Sequence, residues 1–442
     1  MILKSELMPH QKDAIEKVGG LKVAGLFMDM GTGKTRTVLE YIKMKLKKGL
    51  EKVIWLCPVS TIENLRLDIG KHSDCGIIKI VGLESISGSD RMYLEAMQYV
   101  NDGKCLLVVD ESHYIKNPEA LRTERSLTLA RKCFYKIVMT GTPTPQGVWD
   151  LFTQMLILDS RILGYSSWYS FAANHLEYSD KFPGMIERAH NPKAIAAKVE
   201  PYVYQVKKED CLDLPAKTYS SRHFCMSNKM AELYQCVKDE MMQEIDECFC
   251  GDKSALSYVF FKYLGFLHRV SSGSYKGKSC LWRAEEIAGI TRGIDLSKDK
   301  VIVWHKYDSD IAILEQVIDG TEKFNGKMSS KERAEALRRF NNESSILIAN
   351  MSCGSVGLNL QCANYAIYYN GSFDYAKRIQ SEDRIHRIGQ DKNCHIIDVL
   401  SDAKIDAKIY GSMQKKESIS ESIAKSIDGA QRKRLNEIIK EL

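Results

Sequence analysis

The chain has 442 residues, 44% of them hydrophobic and 27% charged, with a formal net charge of +6. These proportions exclude a disordered polyelectrolyte and a small disulfide-stapled scaffold, and at roughly 100–200 residues per domain the length predicts several domains. The mild basicity permits a polyanionic partner without demanding one.

Thirteen cysteines, an odd number, are scattered along the chain. Cys57, Cys105 and Cys394 sit in or beside apolar runs and read as small buried hydrophobes of a reducing compartment. Cys236, Cys248, Cys250 and His268 lie near one another in sequence, but their spacing fits no standard zinc template. The opening MILKSELMPHQ lacks the apolar core of a signal peptide, and no apolar run approaches the roughly 20 residues that span a bilayer. A soluble, intracellular protein without membrane association is expected.

In chain order, the first apolar runs are Gly25–Met28, Val53–Cys57, Ile77–Val81, Leu106–Val109 and Lys136–Met139, separated by helical patterns such as Thr35–Lys47 and Asp90–Val100. Continuous apolar strands alternating with helices predict a parallel sheet covered on both faces. A mostly helical stretch follows, roughly Leu151–Lys298. Its clearest helices are Ala231–Cys248 and Ser254–Leu267, and its one extended piece is Lys217–Phe224. Ser271–Lys278, rich in Ser, Gly and Lys, reads as a flexible loop. The strand texture returns at Val301–Trp304, Ser345–Ile348, Tyr365–Tyr369 and His395–Leu400, with helices at Ile311–Ile318 and Lys331–Asn341. The tail from Lys404 is charged and helical, broken at Asp428-Gly429. The expected fold class is α/β. It comprises two parallel-sheet domains in tandem (1–155 and 286–405), a mostly helical insertion (156–285) and a C-terminal helical brace (406–442).

Met28-Asp29-Met30-Gly31-Thr32-Gly33-Lys34-Thr35 follows a predicted strand and opens a predicted helix. That is the context of a phosphate-binding loop. Gly31 and Gly33 let backbone N–H groups turn toward phosphate oxygens, together with Met30 and Thr32, and the helix start adds its positive dipole end. Lys34 would reach the β- and γ-phosphates of ATP, and Thr35 would hold Mg²⁺. The strict motif begins with Gly where this chain has Met28. Further on, the apolar run Leu106–Val109 leads straight into Asp110 and Glu111. Strand alternation points the two carboxylates in different directions, so Asp110 can hold Mg²⁺ while Glu111 polarises the attacking water. An ordinary solvated acidic pair is the bland alternative, and the loop at Lys34 weighs against it.

The string Asp110-Glu111-Ser112-His113 after the Gly-Thr-Gly-Lys-Thr loop resembles helicase superfamily 2. Met139-Thr140-Gly141-Thr142-Pro143 looks like the element that links its ATP site to nucleic acid. Leu7-Met8-Pro9-His10-Gln11 looks like its adenine-reading element, with Gln11 as the reader. Gly354-Ser355-Val356-Gly357-Leu358-Asn359-Leu360 and Gln380-Ser381-Glu382-Asp383-Arg384-Ile385-His386-Arg387-Ile388-Gly389-Gln390 look like its fifth and sixth motifs. The last string resembles the Swi/Snf-type branch, the ATP-driven double-stranded DNA translocases. The resemblance implies two RecA-like domains, ATP hydrolysis, and Gly357 and Gln380 at the nucleotide. It also implies Arg384 and Arg387 as arginine fingers. Their i, i+3 spacing would place them on one helix face, and guanidinium forks suit phosphoryl oxygens better than lysine does. With nothing appended to the motor motifs, a minimal motor from a bacterial or phage-infected cytoplasm is expected.

No base-reading element is visible, so binding to double-stranded DNA should rest on phosphates and be nearly sequence-blind. Ser60 and Thr61 lie where a phosphate-contacting loop is expected, though a plain helix N-cap explains them as well. By resemblance His305, Lys306, Lys327, Ser352 and Asn359 touch the tracked strand. Ser329 or Ser330 would cap the helix after Lys327. Arg269, Lys276, Lys278 and Arg283, interleaved with Tyr275 and Trp282, form a basic stretch that reads either as a DNA-facing loop or as an exposed linker. A monomer is expected, with the C-terminal helices as a candidate docking surface for a protein partner. Two other readings compete. One is a strand-separating DNA or RNA helicase of the same superfamily, although no aromatic-tipped hairpin wedge stands out. The other is a catalytically dead nucleic-acid-binding regulator, against which Lys34, Thr35, Asp110, Glu111, Arg384 and Arg387 all stand intact.

Overall fold

Side chains alternate faces along a strand, and this rule decides where each apolar residue of the chain is buried. The computed structural model describes residues 1–145, 147–178, 186–250, 256–354, 358–415 and 437–442. The chain divides into two compact units, Met1–Asp213 and Leu214–Leu442.

In the first unit the strands are β1 (Val23–Met28), β2 (Lys52–Cys57), β3 (Ile78–Gly82), β4 (Cys105–Asp110), β5 (Tyr135–Thr140), the short antiparallel pair β6 (Leu176–Tyr178) and β7 (Ile186–Ala189), and β8 (Val203–Val206). Six of them form one parallel sheet in the order β3-β2-β4-β5-β1-β8. Leu26, Met28, Trp55, Cys57, Leu106, Val108 and Ile137 bury one face against the helices Pro9–Val18, Lys34–Leu46 and Ile62–His72. Phe27, Ile54, Leu56, Leu107, Val109 and Val138 bury the other against Asp90–Asn101, Leu121–Lys132, Leu151–Leu158 and Trp168–His175. Each such side chain contributes about 1.5–3 kcal/mol, which is why these strands are apolar without alternation.

The second unit has β9 (Lys217–Phe224), the hairpin β10 (Ser274–Tyr275) and β11 (Lys278–Ser279), β12 (Val301–His305), β13 (Thr321–Phe324), β14 (Ile346–Asn350), β15 (Tyr365–Tyr368) and β16 (Cys394–Ser401). Its parallel sheet runs β13-β14-β12-β15-β16-β9. Val301, Val303, Ile346, Ile348 and Ile367 pack on one face, and Ile302, Trp304, Leu347, Ala349 and Tyr368 on the other. The extended piece within the helical middle is thus an edge strand of this second sheet.

Helices Asn228–Cys250 and Leu256–Ser271 form a separate apolar cluster with the helix Lys404–Gln414, through Met230, Tyr234, Phe260, Leu264, Ile405 and Ile409. Ile439 and Leu442 join it. The break at Asp428-Gly429 lies outside the described residues. Where Ser271–Lys278 reads as a flexible loop, Ser271 ends a helix and Ser274–Tyr275 pairs with Lys278–Ser279 as a hairpin. The reason is internal: Ser272 donates to the His268 carbonyl (2.7 Å) and accepts from the Asn370 amide (3.1 Å), so its polar side chain is satisfied inside. Among the described residues no helix is long and apolar enough to cross a membrane.

Candidate active site

Every strand of the first sheet is parallel, so its carboxyl edge collects the chain turns after β1, β2, β4 and β5, and open α/β sheets present their sites at that edge. After β1, Gly31 (φ 80°) and Gly33 (φ 82°) are left-handed. The left-handed backbone is what calls for glycine at Gly33, and a Cβ there would also have to displace the Gln11 amide. Thr32 is buried, and its hydroxyl donates to the Asp29 carbonyl at 2.7 Å. Lys34 opens the following helix, and its ammonium donates to the carbonyls of Met28 (2.8 Å) and Asp29 (3.2 Å). Thr35 and Met30 are half-buried beside it.

Gln11 lies buried beneath this loop. Its amide donates to the Thr32 carbonyl (3.1 Å) and accepts from the Met8 N–H (3.0 Å). His10 Nε2 lies 2.8 Å from the same carbonyl. Asp29 ties the loop to the start of the short helix Lys208–Cys211 that follows β8, accepting from the Lys208 N–H at 2.9 Å. Gly141, after β5, runs against Met30, and a Cβ there would lie 3.3 Å from the Met30 nitrogen.

Asp110 ends β4. Burial and the neighbouring Glu111 push its carboxyl up to about 7, while Lys34 pulls the other way. Glu111 itself sits in the left-handed region (φ 49°, ψ 51°), unusual for a residue with a Cβ and characteristic of positions held by their surroundings. Its Oε2 accepts from the Thr140 hydroxyl at 3.4 Å and lies 3.4 Å from His113 Nδ1, and His113 Nδ1 lies 3.0 Å from Thr140 Oγ1. Burial holds the His113 ring below its ordinary pKa. Glu111, His113 and Thr140 therefore join the turn after β4 to the end of β5. Thr35, Asp110 and Lys34 supply a hydroxyl, a carboxylate and a cation at one edge, a donor set that fits a magnesium–triphosphate pair.

One residue of this network escaped the sequence reading. Gln154, fully buried in the otherwise apolar helix Leu151–Leu158, accepts from the Ser112 hydroxyl (2.7 Å) and donates to the Pro143 carbonyl (2.7 Å). It links the acidic turn to the Thr142-Pro143 turn. A lone amide inside the run LFTQMLIL was the available signal.

After β2, Ser60 is exposed while Thr61 is buried, its hydroxyl donating to the Pro58 carbonyl at 2.7 Å. Thr61 occupies the helix N-cap position without a side-chain capping bond.

The second unit carries the remaining candidates. The helix Tyr375–Glu382 stops before Arg384, so Arg384 and Arg387 lie in a turn that closes at Gly389 (φ 93°), where a continuing helix face was expected. The helix ends at a C-cap on Asp383, and the Arg384 N–H already bonds three residues back, to the Ser381 carbonyl at 3.3 Å. The pair converges all the same: both Nη1 atoms donate to the Leu358 carbonyl at 3.3 Å, and Arg387 also reaches Asn359 Oδ1. Gln390 closes the turn, its amide lying 2.8 Å from the Ala363 carbonyl and 3.0 Å from that of Ile385. Gln380 is half-buried, and its carbonyl accepts from Arg384 Nε at 3.2 Å. Gly357 lies outside the described residues.

Among the nucleic-acid candidates, His305 is fully buried, its Nδ1 donating to the Tyr307 carbonyl (3.0 Å), and desolvation drops its pKa to about 4. Lys306 is half-buried, with its ammonium 3.2 Å from the Phe373 ring centroid. Lys327 is exposed and pairs with Asp308 at 3.0 Å. Ser352 is exposed, and Asn359 is exposed beside Arg387. Ser329, not Ser330, caps the helix Ser330–Asn342, in a reciprocal capping box with Glu332. The basic stretch does not form one solvated surface, because Arg283 and Tyr275 are buried. Arg283 faces inward to pair with Asp406.

These two parallel-sheet units carry the motifs of a helicase-type nucleoside triphosphatase. An SNF2-related domain matches residues 78–273 and a helicase conserved C-terminal domain matches residues 287–389. The chain belongs to the SNF2-related helicase family. YwqA of Bacillus subtilis, whose name proposes an ATP-dependent helicase/translocase, is 22% identical over 96% of this chain and 49% of its own length. The SWI/SNF chromatin-remodeling complex subunit snf22 of Schizosaccharomyces pombe is 22% identical over 88% of this chain and 26% of its own length. The chain therefore spans half or less of these relatives. The solved Sulfolobus solfataricus SWI2/SNF2 ATPase core in complex with dsDNA covers 98% of this chain and 97% of its own, at 21% identity and a TM-score of 0.42.

Proposed function

We propose that this protein hydrolyses ATP and uses the energy to move along double-stranded DNA. The observation that supports the reading is that the candidate residues fall in two units: Lys34, Thr35, Asp110 and Glu111 at the edge of the first sheet, and the convergent Arg384 and Arg387 in the second. A simple ATPase needs no such division, whereas a motor does, because turnover then requires the second unit's arginines to reach the nucleotide.

In this reading Lys34 exchanges its two loop carbonyls for the β- and γ-phosphate oxygens. Thr35 and Asp110 would hold Mg²⁺, whose charge neutralises the phosphates. Glu111, fixed by Thr140 and His113, orients a water for in-line attack on the γ-phosphorus. A P–O bond forms as the bond to ADP breaks, and the water's proton leaves through Glu111. Arg384 and Arg387 stabilise the charge spread over the γ-oxygens. The link from Glu111 through Thr140 to the Thr142-Pro143 turn is suited to report nucleotide state to DNA held near the same edge.

The test is the ATPase rate on duplex, single-stranded and branched nucleic acids, with Glu111→Gln as control. Duplex DNA should stimulate turnover severalfold or more, and Glu111→Gln should abolish turnover while retaining ATP binding. Stimulation by single-stranded RNA alone would refute the duplex assignment.

A further inference from the structure

We propose that the first residues of the second unit, Pro215 through Tyr219, are positioning residues for the arginine turn. The proposal rests on the ATPase reading above. The second unit begins at Leu214, and β9 starts at Lys217 as the sheet's edge, so a plain edge strand would need only its backbone pairing with β16. The side chains and carbonyls of this segment reach further. The Pro215 carbonyl accepts from His386 Nε2 at 2.9 Å, and His386 lies between Arg384 and Arg387. The Lys217 ammonium lies 3.3 Å from Glu382 Oε2 and 3.8 Å from Asp383 Oδ1. The Tyr219 hydroxyl donates to the same Glu382 oxygen at 2.9 Å.

Glu382 is the last residue of the helix that leads into the turn, and it is buried. Its other oxygen accepts from Arg378 Nε at 2.8 Å, and Arg378 in turn grips Asp398 of β16 and stacks 3.4 Å from the Tyr368 ring centroid. The turn is therefore gripped at its start through Glu382 and Asp383, and at its middle through His386, by the segment that opens the second unit. Arg384 and Arg387 lie between and beside these grips. An arginine finger gains its effect from placement within a fraction of an ångström, and misplacement by about 1 Å costs on the order of a hundredfold in rate. A displacement of this segment would reach both arginines through these bonds.

Lys217→Met and Tyr219→Phe test this. Tyr219 is 55% exposed and Lys217 lies at the sheet edge, so neither change opens a cavity. ATP turnover on saturating duplex DNA should fall roughly tenfold in each variant and further in the pair, with KM for ATP unchanged within about twofold. Lys217→Arg should restore most of the rate. Thermal unfolding is measured alongside. A full kcat in the paired variant, or a loss that only follows the unfolded fraction, overturns the proposal. A wild-type protein whose turnover ignores Lys34→Ala overturns the ATPase reading itself, and the proposal with it. Lys34-dependent turnover with an unaffected paired variant overturns the proposal alone.

Discussion

Arg384 and Arg387 each aim Nη1 at the carbonyl oxygen of Leu358, both at 3.3 Å. A carbonyl oxygen with two lone pairs can accept both donors, and a phosphoryl oxygen offers the same target with more charge.

Replacing either arginine should cost about a thousandfold or more in kcat, the scale of arginine-finger loss, with little change in KM for ATP. Lysine should not rescue, because a point charge cannot reproduce the fork. Steady-state ATPase kinetics on duplex DNA measure this. A variant that lowers kcat less than tenfold would remove that residue from the finger role.

Gln154 makes a second prediction. Gln154→Leu keeps the volume but leaves the Ser112 hydroxyl and the Pro143 carbonyl without their shared partner. An orphaned buried polar group costs about 1–3 kcal/mol, so the denaturation midpoint of the first unit should fall. DNA stimulation should weaken more than basal turnover, because the bond joins the acidic turn to the Thr142-Pro143 turn. Equal losses in both rates would show the amide to be structural support only.

These cases separate what the sequence reveals from what it hides. Continuous apolar strands and the Lys34 loop are local patterns, and both appear in the structure within a residue or two of their predicted bounds. What stayed hidden depends on distant partners. Arg283 reads as part of a basic surface until its partner Asp406 is known, 123 residues away. The segment KTYSSRHF has no buried stripe, so its place at the sheet edge follows only from pairing with β16. The spacing of Arg384 and Arg387 suits a helix equally well, and the C-cap at Asp383 that ends the helix before them leaves no mark in that spacing.

Lys306 predicts a pH dependence. Burial, Lys377 and Arg269 push its ammonium down to about 7, with Asp310 pulling the other way and the Phe373 ring covering it. A DNA phosphate at this position would favour the charged form and raise that value. Binding then takes up a proton above pH 7, so duplex affinity should fall as pH rises, by at most about tenfold per unit for one proton. Lys306→Arg stays charged and should flatten that slope. Fluorescence anisotropy with a labelled duplex between roughly pH 6.5 and 9 measures it. An identical slope in Lys306→Arg would sink the assignment of Lys306 to the phosphate contact.

Asp406 concerns stability. It is buried, and its carboxylate pairs with Arg283, accepts from the Ser401 N–H (2.9 Å) and hydroxyl (2.7 Å), and accepts from Ser271 Oγ (3.0 Å). One side chain thus joins the end of β16 to the helices Leu256–Ser271 and Trp282–Arg292. Asp406→Asn leaves a fully buried guanidinium without its counter-charge, and Arg283 Nε and Nη1 have no partner among the described residues to share the load. Breaking a buried pair by removing one member costs about 3–5 kcal/mol. Arg283→Met with Asp406→Leu removes both charges, so it should recover part of the loss, limited by the Ser401 and Ser271 bonds that leucine cannot accept. Urea denaturation of the full chain, followed by a probe in the second unit, decides between the two energies. If Asp406→Asn were no less stable than the double variant, the uncompensated charge would not be the cause.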